Sequence, residues 1–321
     1  MNRGWTANVH TVQPGGGPVL AVVLAIGRVR RALLRCVRRR YVERMRALRT
    51  GSCPDCPHDV VDGRDLVWVR NVCGYELPAE HRVDPFRDRF GLVRLGRPEL
   101  FACAVLGITG AVGLGFLVWW LAAVPLLLPA FALWFFRDPE RVSPADHVLV
   151  LAPADGVLDD VQKEASCPYF DGPAWRLGIY LSLFDVHVNR APVHGHVERF
   201  DYRSGRRVAT ARRGSTDDNE QLATWFAATV GGRPVVVRQI AGPVARRICN
   251  VLGAGDAVTA GQRFGLIKFG SRTELWLPTG GVQLFARQGE AVHGGVTVLA
   301  RLHEHSRPAA VDAQLVEAEQ H

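Results

Sequence analysis

Apolar residues are arranged in two different ways along this chain. From Leu100 to Phe136 no charged side chain interrupts a run containing LGITGAVGLGFLVWWLAAVPLLLPAFALWFF. A membrane-spanning helix takes about 20 apolar residues, so the run predicts two short spans turning near Ala122 to Pro125, ahead of one span plus an interfacial piece. Trp119, Trp120 and Trp134 suit interfacial positions, and Arg94, Arg97, Arg137 and Arg141 flank the run, which points both ends toward the cytoplasm. A buried helical hairpin in a soluble protein is the alternative. Upstream, Pro18 to Gly27 is apolar but too short to span, and arginines rather than a small-residue cleavage site follow it, so no signal peptide is expected.

After Arg137 the pattern changes to short β-branched runs separated by glycine, proline and aspartate, which read as strands. They fall at Val148 to Ala152, Val157 to Val161, Trp175 to Leu183, Val186 to Val188, His196 to Tyr202, Pro234 to Ile240, Val244 to Leu252, Phe264 to Phe269, Thr273 to Leu277, Val282 to Ala286 and Val296 to Leu302. One helix is expected among them, capped at Asp217, Asp218 or Asn219 and carrying Leu222, Trp225, Phe226 and Val230 at helical spacing. Gly255-Asp-Ala-Val-Thr-Ala-Gly261 is echoed by Gly289-Glu-Ala-Val-His-Gly-Gly295, and both look like glycine-bounded turns between strands. The fold class expected is mainly β (α+β): a β barrel or sandwich core with a few helices, preceded by an N-terminal hydrophobic, transmembrane hairpin.

Charge divides the chain further. The formal net charge is +8, yet Arg28 to Arg49 alone carries ten arginines against one acid, Glu43. Such a tract suits nucleic acid or anionic lipid, and the neighbouring apolar run selects lipid. No nucleic-acid partner is expected. A helix from about Val29 to Leu48 would lie on the membrane surface with its arginines toward headgroups. Three units follow: a basic, partly disordered extension (1–98), a membrane-anchoring segment (99–137) and a catalytic domain (138–321). Seven cysteines, an odd number scattered over a long chain, argue against a secreted disulfide scaffold and for a reducing compartment. Cys53, Cys56 and Cys73, with His58 or His81, have the residue types of a zinc site, but the second half of the usual paired spacing is absent, so loop cysteines and no metal are expected.

Three patches carry potential chemistry. Asp155 ends an apolar strand before Gly156, the position of an ordinary turn aspartate. His187 alternates with Val186 and Val188 and so lies on the opposite strand face, where structural histidines are also common; His194 and His196 read as surface groups. Gly270-Ser271 stands between two apolar runs, as a bulge or tight turn would.

These patches are joined by Trp134-Phe-Phe-Arg-Asp-Pro-Glu140, Ala152-Pro-Ala-Asp-Gly156, Phe184-Asp-Val-His-Val-Asn-Arg-Ala-Pro192, Asn219-Glu220, Gln239-Ile-Ala-Gly-Pro-Val-Ala-Arg-Arg-Ile248 and Phe269-Gly-Ser-Arg272. In this order they resemble phosphatidylserine decarboxylase, in the compact type with a Gly-Ser-Arg processing site. The resemblance implies that Ser271 attacks the Gly270 carbonyl with His187 as base and Asp155 holding the imidazole, a triad turned on its own backbone. It implies cleavage into a β chain (1–270) and an α chain (271–321) that stay together as a heterodimer, with homo-oligomers left open. It also implies a covalent pyruvoyl cofactor made from Ser271, which forms a Schiff base with the serine headgroup and releases CO2 to give phosphatidylethanolamine. The enzyme would sit at the cell membrane with its catalytic domain facing the cytoplasm. Arg137, Arg141 and Arg190 are candidates for the lipid phosphate. With only Lys163 and Lys268 available, a pyridoxal enzyme has little to work with.

The chain departs from the family where some relatives carry a second histidine, three residues after the first; here Arg190 stands there. Arg272 has no role beyond marking the subfamily, and residues 1–98 have no counterpart in the compact type. The alternatives are a pyruvoyl decarboxylase of another amino acid or of an ether-lipid serine headgroup, a serine hydrolase, which would lack its Gly-x-Ser-x-Gly elbow, and an unprocessed membrane-bound adaptor.

Overall fold

A computed structural model describes residues 13, 17–54, 56–86, 88, 90–205, 218–242, 247–268 and 271–303. The strands are β1 (Leu149–Leu151), β2 (Gly156–Glu164), β3 (Ala174–Leu181), β4 (Val188–Arg190), β5 (Gly195–Arg203), β6 (Gln221–Ala228), β7 (Pro234–Ala241), β8 (Arg247–Asn250), β9 (Ala257–Val258), β10 (Arg263–Lys268), β11 (Ser271–Pro278), β12 (Val282–Leu284), β13 (Ala291–Val292) and β14 (Val298–Leu302). Eight form one curled half-barrel sheet in the order β13-β2-β3-β11-β7-β6-β5-β9. Two three-stranded sheets, β4-β10-β8 and β1-β14-β12, complete the mainly β domain. All three sheets contribute to one core, with Val150, Leu177, Ile179, Phe226, Val237, Phe264, Leu275 and Leu299 fully buried. Each such side chain stabilises the fold by about 1.5–3 kcal/mol relative to exposure.

The glycine-bounded echo has a structural meaning. Its two Ala-Val pairs are β9 and β13, the strands at opposite ends of the large sheet. Gly255, Gly261, Gly289 and Gly295 all have positive φ, a region glycine enters without a Cβ penalty. The sheet curls so far that a Cβ built on Gly295 would lie 3.1 Å from Gly261 Cα. The turns at its two ends thus meet.

The helix expected from Asp217 to Val230 is instead β6. Residues 206–217 lie outside the described residues, and Gln221 to Ala228 form a central strand paired with both β5 and β7. Every residue of β6 is buried, so both faces are covered and no alternation of apolar with exposed polar positions survives to separate strand from helix.

The N-terminal part carries α1 (Pro18–Val37), α2 (Arg39–Leu48) and the single-turn α3 (Gly63–Leu66). Its arginines do not all turn outward as expected. Arg30 pairs with Asp62 and Asp65, Arg31 with Asp65 and Arg35 with Asp59. The outward side of α1 shows Val22, Ile26, Val29, Leu33 and Val37, which recur every three or four residues and form a stripe. The extension also packs on the rest of the chain. Phe86, Val93 and Leu95 share a core with Phe135, Phe136, Val186, Val188, Cys249 and Leu266.

Within the apolar run, α4 (Arg97–Leu117) is followed by a 3₁₀ turn at Trp119–Ala123 and α5 (Leu127–Phe135). The α4 helix, with its preceding turn, is long and apolar enough to cross a membrane and is almost wholly exposed. The second span predicted from the sequence is a nine-residue helix, well short of the roughly 20 residues a span requires. Gly107 lets α5 approach α4, since a Cβ there would lie 2.6 Å from Pro129 Cδ.

Candidate active site

Register brings the candidate residues to one end of the large sheet. Ser271 opens β11 and lies between Leu181, the last residue of β3, and Ala241, the last of β7. After β3 the chain turns tightly, with Ser182 N–H donating to Asp185 Oδ2 at 2.7 Å, and then delivers His187 immediately before β4. The β4 strand pairs with β10, and Ile267 N–H donates to His187 O at 3.4 Å. Both backbone routes into His187 therefore start from neighbours of Ser271. Phe269 and Gly270 lie outside the described residues.

The His187 side chain is completely buried. Its Nδ1 lies 2.9 Å from the carbonyl oxygen of Asp185. A carbonyl only accepts, so Nδ1 carries the proton and Nε2 presents a lone pair. Nε2 has no hydrogen-bond partner among the described residues, and Phe135 covers the ring with centroids 4.2 Å apart. Burial is the main cause that lowers the His187 pKa to about 4, with the Asp185 carbonyl and carboxylate and Asp155 opposing it and Arg137 assisting. The imidazole is therefore a neutral acceptor at physiological pH. Ser271 is 1% exposed, and its Oγ likewise has no partner among the described residues. A buried polar atom left unbonded costs about 1–3 kcal/mol, so two of them at one sheet end mark a place organised for something other than stability.

Asp155 does not hold the imidazole. Its carboxylate is gripped by both terminal nitrogens of Arg141, with Arg141 Nη2 at 2.6 Å from Oδ2, and by the Gly294 N–H at 2.8 Å. The Asp185 carbonyl orients the ring instead, and Asp155 acts on His187 only through space. Gly156, next in sequence, has φ 143°, and a Cβ there would meet the Tyr180 carbonyl oxygen at 2.1 Å. Only glycine permits the tight Asp155-Gly156 turn into β2, where it passes close to β3.

The arginines divide clearly. Arg190 is buried and donates to Gly261 O at 3.1 Å, Asp138 Oδ1 at 3.1 Å and Pro139 O at 3.2 Å, so it braces the meeting point of the sheet ends. Arg141 belongs to Asp155. Arg137 is half-buried at the seam between α5 and the 182–185 turn, donating to Trp134 O at 2.8 Å and Phe184 O at 2.6 Å and stacking on Trp134.

Sequence reasoning missed a polar layer on the Ser271 face. Strand alternation puts Thr273 on that face, where Asn189 Nδ2 donates to Thr273 Oγ1 at 3.3 Å and Gln239 Nε2 donates to Asn189 Oδ1 at 2.7 Å. All three side chains are fully buried, and their signal was polar residues at strand positions otherwise given to valine and leucine. The opposite face explains Arg272. It pairs with Asp159 and Glu274, and Glu274 also pairs with Arg238 at 2.5 Å. Burial alone would raise the Glu274 pKa, but Arg238, Arg272 and Arg176 together hold it below the usual carboxylate range. Lys268, immediately before the undescribed pair, donates to Glu99 Oε1 at 2.7 Å and Leu95 O at 2.9 Å. The strand leading to Ser271 is thereby tied to the start of α4.

Comparison with known proteins identifies the family. The family model for phosphatidylserine decarboxylase matches residues 128–300. A protein of Carboxydothermus hydrogenoformans is 40% identical over 211 residues, covering 66% of this chain and 96% of the relative. One of Granulibacter bethesdensis is 43% identical over 209 residues, covering 64% and 83%, and one of Rhodopirellula baltica 41% over 226 residues, covering 69% and 93%. Each of the three bears the name phosphatidylserine decarboxylase proenzyme.

Proposed function

Because this chain belongs to the phosphatidylserine decarboxylase family, we propose that it is made as a proenzyme, cuts itself between Gly270 and Ser271, and then removes carbon dioxide from the serine headgroup of phosphatidylserine to leave phosphatidylethanolamine. The observation that carries this proposal is the pair of buried atoms without a hydrogen-bond partner among the described residues, Ser271 Oγ and His187 Nε2.

In the first stage His187 Nε2 takes the Ser271 hydroxyl proton as Oγ attacks the Gly270 carbonyl carbon. The C–N bond breaks, its nitrogen is protonated, and Gly270 becomes an ester of Ser271. Loss of the Ser271 Cα proton then breaks the Cβ–Oγ bond. Gly270 leaves as a carboxylate, and the dehydroalanine at position 271 takes up water and releases ammonia to become a pyruvoyl group. Asp185 keeps His187 in the required tautomer, and Asp155, braced by Arg141, lends negative charge to the imidazolium that forms. The same buried, polar-lined position suits a small ketone, with the Asn189 to Thr273 layer beside it. Once formed, the pyruvoyl group supplies an electron sink for the carbon that loses carbon dioxide. His187 then delivers a proton to that carbon.

The two products would not separate. The β11 strand, the first element of the α chain (271–321), is laddered on both sides to β3 and β7 of the β chain (1–270). The Arg272 ion pairs fix its first turn of strand. We assign residues 1–98 as an extension, 99–137 as the anchor and 138–321 as the decarboxylase domain. In this scheme α4 spans the membrane, the α1 stripe enters its interface, exposed arginines such as Arg39, Arg40 and Arg44 meet anionic headgroups, and the catalytic domain faces the cytoplasm. In the same scheme Arg137 meets the lipid phosphate.

The test is incubation of the purified enzyme with vesicles containing phosphatidylserine. Phosphatidylethanolamine should form, and a hydroxylamine-type carbonyl probe should label the shorter chain alone and stop turnover. Turnover that survives complete exposure to the probe would exclude the pyruvoyl group.

The pH response follows from His187. Its folded pKa of about 4 lies below the ordinary value of 6.5, so the unfolded chain binds the extra proton first as pH falls. The stability held by the neutral ring is present above about pH 6.5 and is lost between 6.5 and 4. Self-cleavage of freshly translated proenzyme should therefore lose rate only near pH 4. An acid limb centred at 6.5 would show that His187 titrates as an exposed imidazole.

A further inference from the structure

We propose that Cys53, Cys56 and Cys73 form a thiolate site for a soft divalent cation of the zinc class, and that this site fastens the extension to the catalytic domain. The fold brings together the three cysteines that the sequence names: Cys73 Sγ lies 3.2 Å from Cys56 Sγ, and the three sulfurs all fall within 4.8 Å of one another. Thiolates bound about 2.3 Å from a tetrahedral zinc ion stand roughly 3.8 Å apart, so the set closes on a cation with little movement.

Cys53 and Cys56 are joined here as a disulfide, with Cys73 buried against them as a free thiol. A disulfide uses two of the three sulfurs, whereas a cation uses all three. Reduction by a thiol reductant adds two electrons and two protons to the Cys53–Cys56 bond, and cation binding then releases three protons, one from each thiol. A fourth position remains for a donor outside this set.

Two further observations show that the site is built. The sulfur-bearing turns are pressed together independently of the cysteines: Thr50 and Glu76 exchange backbone hydrogen bonds of 3.0 Å, and a Cβ on Gly51 would lie 2.1 Å from Gly74 O. The apolar cluster around them is small among the described residues: Val60, Leu66, Val69 and Leu77 are buried, with Val72 and Tyr75 partly so. A core this small needs a staple.

The staple has something to hold. Between Val69 and Cys73 the chain carries Arg70 and Asn71, which grip the turn before β9. Arg70 donates to Cys73 O at 3.0 Å and pairs with Asp256, and Asn71 Nδ2 donates to Leu252 O at 2.9 Å. A Cβ on Gly253 would lie 3.0 Å from Arg70 O. Fixing Cys73 therefore fixes the hinge between extension and sheet edge.

The full chain, purified from cytoplasmic expression with a phosphine reductant and no chelator, should carry about one zinc ion by mass spectrometric metal analysis. Replacing zinc with cobalt chloride should give near-ultraviolet thiolate charge-transfer absorption at one equivalent. In Cys73→Ser both signals should be lost while the β domain keeps its circular dichroism. If that variant fails to fold, the cobalt titration of the unaltered chain decides alone. Reduced chain that binds neither ion, or zinc retained in folded Cys73→Ser, would overturn the proposal.

Discussion

Ser271→Ala is expected to leave a single uncut chain with no decarboxylase activity. Removing Oγ removes the only atom that can accept the Gly270 acyl group, and with it the source of the pyruvoyl carbonyl, so both losses should be complete rather than graded. Stability should hardly change. The hydroxyl is buried without a partner among the described residues, and deleting an unsatisfied buried polar atom is close to neutral or stabilising. The variant should therefore melt no lower than the unprocessed parent. Electrophoresis and a vesicle assay read the two losses, and an uncut Ser271→Ala protein that still makes phosphatidylethanolamine would sink the mechanism.

His187→Ala should slow self-cleavage by roughly 100-fold or more, the usual contribution of a positioned general base. The imidazole is neutral, its tautomer is set by the Asp185 carbonyl at 2.9 Å, and its free nitrogen faces no competing partner among the described residues. Loss of the ring also opens space beside Phe135, so folding must be checked by circular dichroism. Added imidazole should restore part of the rate, which a merely structural role would not allow. Mature protein accumulating at the normal rate would remove His187 from the first stage. Asp155→Asn should act more weakly on cleavage, because Asp155 engages Arg141 and Gly294 rather than the ring.

How much of this was legible in the sequence depended on whether a signal was local. Most strands could be read because β-branched runs end at glycine and aspartate, and the Ser271 and His187 positions could be read because motif order survives without knowledge of contacts. The 221–228 strand could not, since burial on both faces erases the period that separates strand from helix. The partner of Asp155 was equally hidden: Arg141 is close in sequence but Gly294 is not. Arg190 looked like a phosphate ligand because an arginine carries the same charge whether it faces solvent or braces two turns. The arginines of α1 were misdirected for a related reason, as their acidic partners Asp59, Asp62 and Asp65 lie beyond any helical spacing. Residue pattern reports on neighbours along an element, and these roles are fixed by neighbours across elements.

Intact-mass spectrometry of the purified protein under denaturing conditions tests the central claim most directly. The account predicts two species that join between Gly270 and Ser271, the shorter one beginning with a ketone in place of an amine. A single unmodified chain of 35.3 kDa, in a preparation that still converts phosphatidylserine, would contradict it.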